Sequence, residues 1–333
     1  MKAIKILTMA ALATCPVFAS CSNDEDLAQS NYPMDNVVRI MTSVDGMNTR
    51  ASYGNSTDKL SSFGFCINNA GNTKYTYDNI MVTKDGSNWN PATQMLWQNS
   101  TTAVDILAYA PYQETTEDAN GKVKVFGKTD YAFSVKEDQS NAEEYSSDLI
   151  VYKQTGFKPK SDLNTNQAVN VAFTHLLSQL NLTIELRDQF NQDEKKPVTS
   201  ATVTDVKVDG TFIRSKVNFA ADPISVRFDG QVPKAITPET VAFTKADKTT
   251  DHATFKYSAI VIPQWIRAGV FCISFKVNGN DYIWTSTSDV NFVSGKKHDL
   301  LLLVGKDVVQ GGAISAKPWG EGTTGTTGSL ETD

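Results

Sequence analysis

An all-β fold, arranged as two β-sandwiches in tandem, is what this sequence predicts, and three observations carry the prediction. Short runs of Val, Ile, Leu and Phe alternate with polar residues at period two, the pattern of strands with one buried face. Turn pairs such as Asp85-Gly86, Asn120-Gly121, Asp209-Gly210 and Asp229-Gly230 punctuate those runs. A chain of 333 residues, 40% of them hydrophobic, is long enough for two domains whose cores need no disulfide or metal staple. No self-similar repeat is visible, which argues against a propeller.

Taken in order, the first element is an address. Lys2 and Lys5, the apolar stretch from Ile6 to Ala13 and the small residues before Cys21 describe a secretory signal peptide over residues 1–20. The stretch Val17-Phe18-Ala19-Ser20-Cys21 is similar to a lipoprotein lipobox, although Phe18 and Ser20 depart from its commoner residues. Cys21 is therefore the candidate lipidation site, with plain signal cleavage near this point as the alternative. Ser22-Asn23-Asp24-Glu25-Asp26 opens an acidic tether over 21–35. It is similar to the surface-export signals of lipoproteins in some Gram-negative anaerobes, and it also suits a simple solvated linker. No later run is long and apolar enough for a transmembrane helix.

In the first half of the chain, strands are expected at 36–44, 61–67, 74–83, 93–98, 102–109, 122–126, 130–135 and 148–152. In the first of these, Val38, Ile40, Thr42 and Val44 share one face. Around Cys66, the residues Phe63, Phe65 and Ile67 share a face and the cysteine takes the other. The polar stretch 153–166, with Gly156 and Pro159, reads as the interdomain connection, which places an N-terminal domain at 36–165 and a C-terminal domain at 166–319. Residues 173–178 fit either a strand or a helical turn. Leu180, Leu182, Ile184 and Leu186 then alternate cleanly. Further strands are expected at 201–208, 211–219, 224–228, 241–244, 253–262, 269–277, 281–285 and 298–304. Asn278-Gly279-Asn280 suggests a tight hairpin, and Gly320 to Asp333 is a Gly/Thr-rich tail.

Chemistry-bearing residues are few. A net charge of −6 argues against nucleic acid as a partner. With 3 His and 4 Cys, a His/Cys metal centre or His-based catalysis is poorly supplied, and neither a metal nor a cofactor is expected. His175 lies among apolar residues and reads as structural, while His252 and His298 sit in polar loop or strand-edge contexts. Cys66 and Cys272 both lie in strands and read as free structural thiols, a disulfide between them being open to an exported protein. Gly320-Glu321-Gly322-Thr323-Thr324-Gly325 matches a dinucleotide-binding pattern in letters only, since it opens no helix. Asp162-Leu163-Asn164-Thr165-Asn166 begins like a calcium loop but lacks the required glycine and closing acid. Adjacent acids such as Glu143-Glu144 and Asp193-Glu194 read as solvated surface. The tryptophans at 89, 97, 265, 284 and 319 suit core packing or, less simply, a sugar platform.

Several short segments, in order along nearly the whole chain, carry a resemblance. They are the lipobox at Cys21, Asn48-Thr49-Arg50-Ala51, Leu60-Ser61-Ser62-Phe63-Gly64-Phe65, Phe173-Thr174-His175-Leu176-Leu177-Ser178-Gln179-Leu180, Phe292-Val293-Ser294-Gly295-Lys296-Lys297-His298, and Ile314-Ser315-Ala316-Lys317-Pro318-Trp319-Gly320. In these the chain resembles the fimbrillins, the subunits of lipoprotein-derived type V pili.

The resemblance implies two transthyretin-like, Greek-key sandwiches. It also implies an outer-membrane precursor held by lipid at Cys21, and an Arg-specific protease that cuts between Arg50 and Ala51 and removes the first strand. Polymerisation with other fimbrillin subunits by donor-strand exchange would follow. The donor would be the segment 300–319, with Leu300, Leu302, Val304, Val308, Ile314 and Trp319 as its apolar contacts. The residues themselves are compatible with this: an alternating strand followed by a polar loop at Arg50 is accessible to protease, and its loss would leave an unpaired edge. The tail beyond Trp319 departs from a simple terminal donor. A tip adhesin or glycan-binding surface lipoprotein, contacting a host or glycan receptor without polymerising, is the alternative reading. An enzyme finds no constellation here.

Overall fold

A computed structural model describes residues 31–44, 57–114, 124–141, 145–191, 195, 197–230, 232–246 and 252–319. The signal peptide, Cys21, Arg50, Ala51, the acidic pairs Glu143-Glu144 and Asp193-Glu194, and the tail 320–333 lie outside these residues.

The fold is all-β. The strands of the first half are β1 (Arg39–Val44), β2 (Ser62–Asn68), β3 (Tyr77–Asp85), β4 (Asn88–Pro91), β5 (Val104–Ala110), β6 (Tyr131–Ser134), β7 (Ile150–Phe157) and β8 (Ala168–His175). After them come β9 (Ser178–Leu186), β10 (Val203–Asp209), β11 (Arg214–Asn218), β12 (Ser225–Phe228), β13 (Glu239–Thr244), β14 (Ala253–Val261) and β15 (Gln264–Ile266). The chain closes with β16 (Cys272–Val277), β17 (Asn280–Thr285), β18 (Val290–Phe292), β19 (Lys296–Val304), β20 (Val309–Gly311) and β21 (Ser315–Pro318). Two single-turn helices, α1 (Pro159–Asp162) and α2 (Asp188–Asn191), interrupt them.

A seven-stranded sheet runs β1-β8-β7-β5-β2-β3-β4. A six-stranded sheet runs β13-β14-β9-β19-β20, with β21 also on β19. Smaller sheets join β10-β16-β17, β12-β11-β6 and β15-β18. Most pairs are antiparallel, but β1 lies parallel to β8 and β9 parallel to β19.

Alternation correctly assigns the faces of the long strands. Phe63, Phe65 and Ile67 enter one core cluster with Phe157 and Phe173, while Cys66 enters the other with Leu107 and Tyr109. Strand β2 is thus buried on both sides, so its sequence is a nearly continuous apolar run. Phe63 meets Phe65, Trp89 and Phe173 edge-on, with ring centroids 6.5, 5.1 and 5.3 Å away. Phe63→Ala is expected to cost about 3–5 kcal/mol, because lost transfer energy and an unfilled cavity add; urea unfolding of the variant measures it.

The expected connection at 153–166 is corrected. Strand β7 continues to Phe157, and Gly156 sits in it at φ +68°, where pairing with β5 shifts register. A glycine at a bulge bends a strand without ending it. Pro159 occupies the first turn of α1, where its missing N–H costs nothing. The expected boundary at 165/166 therefore coincides with no sheet boundary: β8 belongs to the first sheet, and β6 pairs with β11 from the second half. From Leu176 onward the buried apolar residues belong to the second cluster, which Cys66, Leu107 and Tyr109 of the first half also enter, and Phe173 is the last residue of the first.

Smaller differences have local causes. Within 93–98 there is a single bridge, Val37 to Leu96, and residues 124–126 form no strand. Residues 173–175 complete β8, so no helical turn forms there. The three- and four-residue strands β4, β15, β18, β20 and β21 are too short to show a period.

Both body cysteines are free. Cys66 is buried and its Sγ donates to the Asp78 carboxylate at 3.2 Å. Burial first, and the Asp78 charge second, push its thiol well above the usual range. Cys272 is raised by burial and by Asp209. A thiol held protonated is a poor nucleophile, so iodoacetamide at mildly alkaline pH is expected to label Cys272 slowly and Cys66 only after unfolding, as read by mass spectrometry.

Candidate functional site at the two chain ends

Strand β1 forms one edge of the seven-stranded sheet. Among the described residues it pairs with β8 alone along its length, from Arg39 opposite Ala168 to Val44 opposite Phe173. Just before it, the Val38 N–H donates to the Met95 carbonyl at 3.0 Å and the Trp97 N–H to the Asn36 carbonyl at 2.8 Å. The strand thus fills a slot between β8 and the 95–97 segment. Val38, Ile40 and Val44 point inward and are buried, whereas Met41 is 42% exposed. Each inward aliphatic contributes about 1.5–3 kcal/mol of burial. At the start of the strand the Arg39 guanidinium bonds Asp35 at 2.6 Å and holds that carboxyl below its ordinary range. The pair is exposed and screened, so it orients more than it stabilises.

At the other end, the expected donor residues separate into two groups. Leu300, Leu302 and Val304 are buried in β19, which is paired on one side to β9 over eight register positions and on the other to β20 and β21. An interior strand cannot leave without opening the sheet on both sides, whereas the part of the expected donor 300–319 after Val304 lies on the sheet edge. That part turns back at Gly305, whose N–H donates to the Val308 carbonyl at 2.9 Å, and runs antiparallel along β19 as the broken edge β20-β21. Val308 is 54% exposed, Ile314 is half-buried and Trp319 is buried.

Three contacts hold this edge. Gly311 lies directly under the Trp284 indole of β17, and a Cβ there would fall on the ring. Lys317 pairs with Asp299 at 3.2 Å. Trp319 stacks on the His175 ring, centroids 4.0 Å apart and planes 8° from parallel. His175 is itself buried with its Nδ1 2.9 Å from the buried Asp148 carboxylate. No sequence pattern joins Trp319 to His175 or Gly311 to Trp284, although Gly311-Gly312 within a terminal run signals a close backbone approach.

The remaining candidates are dispersed. His252 bridges Glu185 at 3.1 Å and Asp188 at 3.0 Å. His298 is buried, its Nε2 accepting from the Val293 N–H at 3.0 Å, and burial lowers its pKa; the ring is a neutral acceptor. In the calcium-like stretch, Asp162 caps the Lys158 N–H and Asn164 the Asn166 and Ala168 N–H groups, so these oxygens serve the turn. Among the described residues no group of three or more His, Cys, Asp or Glu could hold a metal ion. Trp97 stacks on Phe157 and Trp89 meets Phe63 edge-on, leaving Trp265, 54% exposed beside Arg267, as the tryptophan open to solvent.

These features define an all-β protein whose first and last described strands lie at sheet edges. The chain belongs to the fimbrillin-like family, whose model matches residues 49–319. Three crystal structures share its fold. A candidate cell adhesion protein of Bacteroides uniformis aligns with TM-score 0.55 at 20% identity, over 86% of this chain and 99% of that one. A candidate cell adhesion protein of Bacteroides ovatus gives TM-score 0.57 at 12% identity, over 86% and 99%. A fimbrial protein of Bacteroides vulgatus gives 0.50 at 15%, over 84% and 99%. No curated protein matches the chain.

Proposed function

We propose that this chain is a pilus subunit, exported as an outer-membrane lipoprotein precursor through Cys21. Cleavage between Arg50 and Ala51 by an Arg-specific protease matures it, and donor-strand exchange with other fimbrillin subunits then assembles an adhesive fibre at the cell surface. The observation that carries this reading is β1: an edge strand with three inward aliphatics, parallel to β8 and, among the described residues, paired to it alone. Its departure would bare a row of β8 backbone donors and acceptors and an apolar slot, a template that another extended segment can fill. The exposed edge segment 308–319 is the part of this chain best placed to be that donor. The lipid, the protease and the receptor are expectations from the resemblance.

The test is treatment of the purified precursor with a trypsin-like protease. A new N-terminus at Ala51 followed by SDS-resistant ladders is expected. A chain cut there that stays monomeric would remove the polymerisation step from the proposal. A second reading, a glycan-binding surface lipoprotein, is favoured only by the exposed Trp265 next to Arg267, centroid distance 5.9 Å; loss of glycan binding in Trp265→Ala would support it.

A further inference from the structure

We infer that Trp319, seated on the His175–Asp148 pair, is a latch that keeps the C-terminal edge segment folded on its own chain, and that β8 couples this latch to β1. The inference rests on the proposed function for its biological use, but its geometry stands apart.

The segment from Gly311 to Pro318 is thinly attached. Gly311, Gly312, Ala313, Ser315, Ala316 and Pro318 are exposed, and Ile314 and Lys317 only half-buried. A short edge held mainly by backbone bonds, the Gly311 contact with Trp284 and a partly exposed Lys317–Asp299 pair frays easily. Trp319 is the exception at 5% exposure, and its ring is the segment's main buried apolar surface. Its seat is incomplete, because its buried Nε1 has no hydrogen-bond partner among the described residues. A large apolar contact with one unmet donor holds the segment and yet favours eventual release.

The platform is placed to sense β1. His175 lies in β8 on the same buried face as Val171 and Phe173, and Phe173 is the residue opposite Val44 of β1. Strand β8 is bonded by β1 over Ala168 to Phe173, while its pairing with β7 covers only Val151 opposite Thr174 and Ile150 opposite His175. With β1 gone, β8 keeps its β7 pairing at Thr174 and His175, next to the Leu176 N–H on the Leu149 carbonyl, so the strand leading into His175 is held at that end alone. The Trp319 stack then loses the support of the strand leading into its platform, and that is the step by which vacating the slot would free the segment.

Amide hydrogen exchange on the full chain, read by mass spectrometry, tests this without polymerisation. In Trp319→Ala, exchange over 309–318 is expected to rise about ten-fold or more while β1 stays protected, and Trp319→Phe should restore part of the protection. In Ile40→Asp, which expels β1 by burying a charge, exchange over 315–318 is expected to rise with that of β1. Ser43→Pro, which fixes φ and removes an N–H without charging the core, serves if the first variant fails to fold. Unchanged protection of 309–318 in Trp319→Ala overturns the latch. An open β1 with 315–318 still protected overturns the coupling. Absence of ladders after cleavage bears on the proposed function and leaves this inference standing.

Discussion

Arg50→Ala is expected to leave the chain whole under an Arg-specific protease and monomeric afterwards, a loss of assembly that is all or none on a denaturing gel. The reason is steric and energetic. A protease needs an extended, unpaired backbone, and Arg39, the other basic residue near the N-terminal edge, lies in a strand bonded to β8 from Arg39 to Val44. Without the cut, β1 keeps its slot at an effective concentration that no separate subunit can match. Arg50→Lys discriminates further: an Arg-specific enzyme should spare it, whereas trypsin should still cut it and restore ladders. Ladders from uncut Arg50→Ala would sink the maturation step.

The second large effect is expected from Gly311→Val. The added side chain falls on the Trp284 indole, and neither the ring, buried at 9% exposure, nor the β20 backbone can move without losing contacts. Overpacking of this kind costs about 1–3 kcal/mol. Because β20 is an edge strand of three residues, the cost is met by detaching it and not by unfolding the sheet. The expected readout is a red-shifted tryptophan emission, little change in the global urea midpoint, and faster assembly once Arg50 is cut. A rise of up to about a hundred-fold corresponds to release of that strain. Deletion of 308–333 is the complementary control: it should leave a folded chain that accepts a donor strand but offers none, so it terminates growing fibres.

The two experiments depend on features of unequal legibility. The N-terminal strand is evident in the sequence because Val38, Ile40, Thr42 and Val44 alternate with Arg39, Met41 and Ser43, and a buried face imposes that period wherever the strand lies. The same rule assigns Cys66 to the face opposite Phe63, Phe65 and Ile67, as the structure has it. Gly156 misleads, because a glycine in a polar run signals a linker and a bulge equally well; the pairing of β7 with β5 decides between them. The donor residues mislead in another way. Leu300, Leu302 and Val304 have the pattern of any half-buried strand, and nothing local distinguishes an interior strand from an edge.

What the sequence determined by itself is local and periodic: the all-β class, the faces of the long strands and the turns between them. Only the tertiary structure decided which strands are edges, that β1 and β9 lie parallel to late partners, that Cys66 and Leu107 share a core with Leu176 and Leu180, and that Trp319 rests on His175. The division has a physical cause. Side-chain burial repeats along a strand every two residues and so leaves its record in the strand's own residues. Whether the backbone of that strand is shared on one side or two depends on segments more than a hundred residues away, as for β1 with β8 and β9 with β19.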